Sequence, residues 1–231
     1  MVKTIVHKEI VDLFGEESSS DYLKEHIGEV VKELSKQFKE PEDCFRELAQ
    51  NSIDAETPEI HIDFEAQPID NKYVMQSVVF EDFGSGMSEE ERDYFITIFK
   101  SSKENNPNKI GKYGIGILSV FLLNPDEFIT ESTGISKQNK KPESWRLHIK
   151  DLNNKSQYKI EKNIEERKGT KVVIRKKMTL EEAEALKQKA EEKVRYFCER
   201  SRTPIYIGGR FINKDFRLDT PIQIHRTSPG L

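Results

Sequence analysis

Alternation of apolar and polar positions predicts strands over much of the chain. Residues 59–64 and 73–81 alternate with a period of two, and the polar residues between them indicate a hairpin. A second hairpin is expected at residues 204–212 around Gly208 and Gly209. Four short stretches separated by loops rich in Asn, Lys and Gly predict an antiparallel meander, at residues 128–131, 145–149, 158–160 and 170–174.

Apolar residues at helical spacing predict the other elements. Thr179 offers an N-cap with two glutamates behind it, which is typical of a helix start. Helices are expected at residues 1–40 (one or two), 41–55, 88–99, 117–123 and 179–200. No repeat or linker divides the chain, so we expect one main domain at residues 41–218, preceded by a helical segment (1–40) and followed by a tail (219–231).

Composition and charge narrow the class of protein. The 231 residues are 35% apolar and 34% charged, and 37 basic residues face 41 acidic ones, a net charge of -4. This balance argues against constitutive binding to nucleic acid or to an anionic membrane. No apolar run approaches the ~20 residues of a membrane span, and the charged N-terminus does not resemble a signal peptide. Cys44 and Cys198 lack metal-ligand spacing, so we expect free thiols in a cytoplasmic protein.

The segment from Phe45 to Ala55 carries the first candidate chemistry. As a helix it places Glu47, Asn51 and Asp54 on one stripe, while Phe45, Leu48 and Ser52 lie on another that can face a core. A carboxylate that activates water, one turn from an amide oxygen that could hold Mg²⁺, suits nucleotide hydrolysis. Alone, however, such a stripe is more often a solvated helix face.

A glycine turn follows the second predicted strand. Asp82 ends that strand, and Gly84 and Gly86 then permit a tight turn and close approach of a flat ligand to the backbone. A buried carboxylate at Asp82 could accept a hydrogen bond from an exocyclic amine. An ordinary glycine turn with a capping aspartate explains the motif equally well.

A second glycine-rich segment occupies residues 111–116, after a polar loop at residues 100–109. Because it enters an apolar helix, its amides could bind phosphate. The signal is weak, since the segment is neither a Walker loop nor a dinucleotide fingerprint. Thr170, at the start of a predicted strand, could bind a ligand but is by itself more typical of a strand residue.

Together these motifs resemble a known family. Four motifs occur in one order: Glu47-Leu-x-x-Asn51-x-x-Asp54-Ala55, Asp82-x-Gly84-x-Gly86-Met87, Gly111-x-x-Gly114-x-Gly116 and Gly169-Thr170. This ordered set resembles the ATP-binding domain shared by gyrase, the ninety-kilodalton heat-shock chaperone, histidine kinases and MutL (the GHKL superfamily). The resemblance covers about residues 41–207. It implies an α+β fold, the two-layer Bergerat sandwich, with helices on one face of a mixed, largely antiparallel sheet.

The resemblance also implies roles for individual residues. Glu47 would be the general base and Asn51 the Mg²⁺ ligand. Asp82 would accept from the adenine amino group, with Gly86 and Met87 lining the base pocket and Thr170 supporting hydrogen bonds on the adenine side. Residues 100–110 would form a lid over ATP. The remaining residues implied to contact ATP or ADP are Asp54, Lys100, Gly111, Lys112, Tyr113, Gly114, Ile115, Gly116 and Ile117.

Within the superfamily, the resemblance points most towards the chaperone. Residues 97–101 and 114–119 are similar to the chaperone's lid flanks, and no histidine lies in a phospho-acceptor helix. The implied function is slow, Mg²⁺-dependent ATP hydrolysis coupled to lid closure, homodimerisation or a client protein. Ile117 replaces the chaperone's usual aromatic, and the link from Ala55 to Asp82 is short. A MutL-like or Microrchidia-like ATPase acting on DNA, or an inactive interaction module, are the alternatives.

Overall fold

The computed structural model describes residues 38–93, 119–150 and 158–214. Two complete α-helices, a short 3₁₀ helix and eight strands lie in these ranges, and residues 89–93 are also helical. The helices are α1 (Asp43–Asp54), the 3₁₀ helix (Ser119–Leu123) and α2 (Leu180–Cys198). The strands are β1 (Ile60–Pro68), β2 (Tyr73–Asp82), β3 (Glu127–Ile135), β4 (Pro142–Ile149), β5 (Tyr158–Lys162), β6 (Thr170–Thr179), β7 (Ile205–Ile207) and β8 (Arg210–Phe211).

The eight strands form one sheet in the order β5-β4-β3-β6-β2-β1-β7-β8. Neighbouring strands are antiparallel except β1 and β7, which run parallel. The predicted hairpins β1–β2 and β7–β8 are confirmed. The predicted four-strand meander is wrong in its last member: β3, β4 and β5 follow one another, but β6 returns to lie between β3 and β2.

One hydrophobic core joins the helices to the sheet. The alternating pattern of β2 buries Val78 and Phe80, which pack with Phe45 and Leu48 of α1 and Val194 of α2 in a single cluster. Both cysteines are free thiols, as expected, and both are buried; Trp145 is fully buried in the same core. The two-layer α+β sandwich predicted from the sequence is therefore confirmed.

The ends of the helices follow their local sequence. Thr179 caps α2 through a capping box: its Oγ1 accepts from the Glu182 amide at 3.2 Å, and the Glu182 carboxylate accepts from the Thr179 amide at 2.8 Å. Helix α1 begins at Asp43 without a side-chain cap at Glu42. The apolar helix expected at residues 117–123 is seen as a 3₁₀ helix over its described part. The helix expected at residues 88–99 is seen over its described part, residues 89–93. The helices expected within residues 1–37 lie outside the described residues.

Candidate functional site

Helix α1 presents the two stripes that its spacing predicts. Phe45, Leu48 and Ser52 are buried, whereas Asn51 and Asp54 are exposed. The Glu47 side chain is 27% exposed and so lies at the border of the polar stripe. The apolar stripe docks the helix on the sheet, and this docking fixes the direction in which the polar stripe faces.

The polar stripe is hydrogen-bonded within the helix. The Glu47 carboxylate accepts from Arg46 Nε at 2.9 Å and also from Nη2 of the same guanidinium. Asp54 Oδ1 accepts from Gln50 Nε2 at 2.9 Å. The Arg46 guanidinium in turn lies 4.8 Å from the centre of the Phe197 ring, at the end of α2. Glu47 thus has oxygen lone pairs left to accept a proton or a water, but shares its charge with Arg46.

Asp82, the last residue of β2, is only 6% exposed. Its Oδ1 accepts from the amides of Gly84 at 3.0 Å and Thr170 at 3.2 Å, and its Oδ2 lies 3.1 Å from Ser52 Oγ. Burial raises the pKa of Asp82 above its ordinary value of 3.8, and these hydrogen bonds oppose the rise. The carboxyl group is therefore held rigidly by α1 and β6, with acceptor capacity left on Oδ2.

The glycines around Asp82 are required by close backbone packing. Gly86 has a φ of 66°, and a Cβ there would collide with the Thr133 carbonyl oxygen. Gly169 has a φ of 73°, and a Cβ there would collide with the backbone carbonyl oxygen of Asp82. Both positions combine a left-handed backbone with no room for a side chain, so only glycine fits without strain.

The turn at Met87 is fixed by strands β3 and β4. The Met87 amide donates to Ser132 Oγ at 2.8 Å, and the Met87 carbonyl accepts from Trp145 Nε1 at 2.8 Å. Ser132 Oγ also lies 3.2 Å from the Gly169 carbonyl oxygen and 3.0 Å from Thr170 Oγ1. A continuous polar network therefore runs from the glycine turn to Thr170 and Asp82.

The structure brings several of the predicted site residues together. Asp82 and Thr170 are hydrogen-bonded, and Ser132 links Thr170 to Met87, next to Gly86. Helix α1 is tied to this cluster by Ser52 of its buried stripe, and the residue that follows the helix by a 3.2 Å hydrogen bond from the Ser85 amide to the Ala55 carbonyl oxygen. The site residues that lie outside the described part of the chain are Lys100 and residues 111–117.

Three residues of this network were not identified as site residues from the sequence. Ser52 lies on the predicted core stripe, and the signal for its contact with Asp82 is a polar residue within an otherwise apolar stripe. Ser132 is a buried serine within the alternating pattern of β3, and Trp145 is a fully buried residue of β4. Their contacts join residues 30 to 58 positions apart, which local patterns do not reveal.

A cavity among the described residues does not coincide with this cluster. It has a volume of about 380 Å³ and lies between α2, strands β2 and β6 and the 3₁₀ helix. Its walls include Val78, Leu123, Met178 and Leu186, and no predicted site residue lines it. We therefore assign the candidate site from the chemistry of Asp82 and its neighbours rather than from cavity size.

Neither a metal cluster built from protein ligands alone nor a membrane-spanning helix is found among the described residues. Across residues 38–93, 119–150 and 158–214, no group of three or more His, Cys, Asp or Glu side chains could hold a metal ion. Mg²⁺ commonly takes one or two protein ligands together with nucleotide phosphates and water, so the amide oxygen of Asn51 fits that role. None of the described helices is long and apolar enough to cross a membrane.

Comparison with known proteins identifies the family. A search of curated protein sequences found no match. A family model, described as histidine kinase-, DNA gyrase B-, and HSP90-like ATPase, matches residues 39–179. These residues include α1, the Asp82 turn and Thr170, and they make up more than half of the chain. The chain therefore belongs to the family of histidine kinase-, DNA gyrase B- and HSP90-like ATPases.

Proposed function

We propose that this chain binds ATP through Asp82 and hydrolyses it slowly with Mg²⁺, as the nucleotide-binding domain of a chaperone-like ATPase. The observation that carries the proposal is the buried Asp82 carboxyl group. Among the described residues it receives hydrogen bonds from two backbone amides but forms no ion pair. A buried, immobile acceptor of this kind is suited to a neutral donor such as the exocyclic amine of adenine.

The surroundings of Asp82 supply the rest of a base pocket. An adenine whose amino group donates to Asp82 Oδ2 would place its neighbouring ring nitrogen towards Thr170, whose amide is bound to the same carboxyl group. Gly86 lacks a side chain and Met87 is half-buried, so the turn offers a flat wall with an apolar edge. The Trp145 and Ser132 hydrogen bonds keep this wall in place.

The polar stripe of α1 would serve the phosphate end of the nucleotide. Asn51 would contribute its amide oxygen to Mg²⁺, which stabilises charge on the phosphate oxygens when bound. Glu47 would accept a proton from the water that attacks the γ-phosphorus, and the bond to the bridging oxygen breaks to release ADP and phosphate. Asp54, Lys100 and residues 111–117 complete the proposed nucleotide contacts.

Calorimetric titration of ADP and ATP, with Mg²⁺, tests nucleotide binding directly. We expect Asp82→Asn to weaken binding by about 10- to 100-fold, because one strong acceptor is replaced by a group that presents either a weaker acceptor or a donor. Asp63→Asn, on the exposed side of β1, is the matched control and should bind as the wild type does. Failure of the folded wild type to bind either nucleotide would favour the interaction-module alternative.

The chaperone-like branch requires a separate test. Its support is the similarity of residues 97–101 and 114–119 to the chaperone, and the same similarity implies lid closure and ATP-dependent homodimerisation. Sedimentation with a non-hydrolysable ATP analogue should show a dimer that ADP does not produce. Salt-sensitive binding to duplex DNA would instead favour the MutL-like or Microrchidia-like alternative.

A further inference from the structure

Ser132 occupies a central position in the base pocket described above. It is fully buried in β3, and the sheet register places it directly opposite Thr170 of β6. Its hydroxyl oxygen has three polar neighbours: the Met87 amide at 2.8 Å, Thr170 Oγ1 at 3.0 Å and the Gly169 carbonyl oxygen at 3.2 Å. A buried serine with three partners from two separate segments does more than fill space.

Counting hydrogens shows what this arrangement permits. The Met87 amide must donate, so Ser132 Oγ accepts there and has one hydrogen of its own to donate. If Ser132 donates that hydrogen to the Gly169 carbonyl oxygen, the Thr170 hydroxyl can donate its own hydrogen to Ser132 Oγ. Thr170 Oγ1 then presents only lone pairs to the pocket. If Ser132 donates its hydrogen to Thr170 Oγ1 instead, the Thr170 hydrogen is free to point into the pocket.

We propose that Ser132 is a positioning residue that sets the direction of the Thr170 hydroxyl hydrogen, and thereby makes Thr170 a donor to the ring nitrogen beside the adenine amino group. This inference rests on the proposed function. The Asp82 carboxylate would accept a hydrogen bond from the amino group. The Thr170 hydroxyl, oriented by Ser132, would donate one to the adjacent ring nitrogen. A hydrogen bond donated by Ser132 to Thr170 Oγ1 also polarises the Thr170 hydroxyl, and this strengthens the hydrogen bond that Thr170 donates to the base.

The test compares ADP with 1-deaza-ADP, in which that ring nitrogen is replaced by C–H. We expect the wild type to bind ADP about tenfold more tightly than the analogue, the value of one hydrogen bond. In Ser132→Ala the preference should fall to about threefold or less, because Thr170 loses the hydroxyl that orients it. Calorimetry gives both dissociation constants for each protein.

The ratio of the dissociation constants for 1-deaza-ADP and ADP separates an effect of Ser132 on the Thr170 hydroxyl from a general effect on the fold. Ser144→Ala is the matched control, since Ser144 is a buried serine of neighbouring strand β4 whose hydroxyl donates to the Ile164 carbonyl instead. It should keep the wild-type ratio. Should Ser132→Ala fail to fold, Ser132→Cys, nearly equal in size but a weak donor and acceptor, is measured in the same way.

The outcomes are distinct. A reduced ratio in the Ser132 variant, with the Ser144 variant unchanged, supports the inference. Equal weakening of ADP and 1-deaza-ADP, which leaves the ratio as in the wild type, overturns it while nucleotide binding stands. A folded wild type that binds neither compound overturns both this inference and the proposed function.

Discussion

The Asp82 cluster and the polar stripe of α1 lie side by side but are built differently. Around Asp82, hydrogen bonds join distant segments: Asp82 accepts from the Ser52 hydroxyl of α1 and the Thr170 amide of β6, and Ser132 of β3 and Trp145 of β4 hold the Met87 backbone. On the stripe, the hydrogen bonds of the Glu47 and Asp54 side chains among the described residues come from side chains of the same helix, and Asn51 is exposed.

This difference indicates that, in the proposed function, the Asp82 cluster and the polar stripe of α1 have separate roles: the cluster binds the base and the stripe serves hydrolysis. The proposed base-binding part is formed by folding itself, because its buried polar groups find hydrogen-bond partners in segments that are distant along the chain. The side chains of the polar stripe are exposed or partly exposed, so folding does not require them to have buried partners. They are therefore available for the proposed hydrolysis. We therefore expect mutations in the cluster to change stability and binding, and mutations on the stripe to change turnover.

The largest effect is expected at Glu47. Glu47→Ala should lower single-turnover hydrolysis of ATP by about 100-fold or more, because the attacking water loses its base. Its free energy of unfolding should stay within about 0.5 kcal/mol of the wild type, as for other surface substitutions. Phosphate release and urea unfolding measure the two quantities. Glu65→Ala, exposed on β1, is the control; hydrolysis retained in Glu47→Ala would remove Glu47 from the mechanism.

In the cluster, Gly86→Ala should cost about 3 kcal/mol of stability or more, because the added Cβ combines a strained backbone with a collision at the Thr133 carbonyl. Gly209→Ala is a matched control: its φ of 71° is similar, but nothing lies within 4 Å of the added Cβ. That variant should lose only about 1 kcal/mol. Urea unfolding of both separates the collision from the backbone strain, and equal losses would contradict the packing described for the turn.

A smaller effect is expected at Asn51. Asn51→Ala should raise the Mg²⁺ concentration needed for half-maximal hydrolysis by about tenfold, because one oxygen ligand is lost. Unfolding should be unaffected, since the side chain is exposed. A Mg²⁺ titration of the hydrolysis rate measures the change, with Asn139→Ala, exposed at the β3–β4 turn, as control. An unchanged Mg²⁺ requirement would remove Asn51 from the metal site.

The smallest predicted effect concerns pH and Asp82. Because burial raises its pKa in the folded chain, the folded state binds more protons than the unfolded state at pH values between 3.8 and the raised pKa. Rising pH through this window should therefore destabilise the wild type relative to Asp82→Asn. Urea unfolding at about pH 4 and about pH 7 gives the difference between the two proteins. A wild type that becomes more stable relative to Asp82→Asn as pH rises would contradict the sign of the shift.

The sequence predicts local structure here better than the joining of distant parts. The stripe of Phe45 and Leu48 is readable because a buried helix face repeats every 3.6 residues, and the Asp82 turn is readable because glycine permits backbone forms that other residues avoid. The return of β6 to a place between β3 and β2 depends on which strand edges meet, and alternation carries no information on that choice. The contacts of Ser52 and Ser132 follow from that pairing. The roles given to the site residues stay predictions.

Trp145 has a practical consequence. It is the chain's one tryptophan, and its indole N–H is bonded to the Met87 carbonyl in the wall of the proposed base pocket. Indole emission depends on the polarity and hydrogen bonding of its surroundings. The chain therefore carries its single indole fluorophore at the place where a base is proposed to dock, and selective excitation of Trp145 would follow occupancy optically in the unlabelled protein.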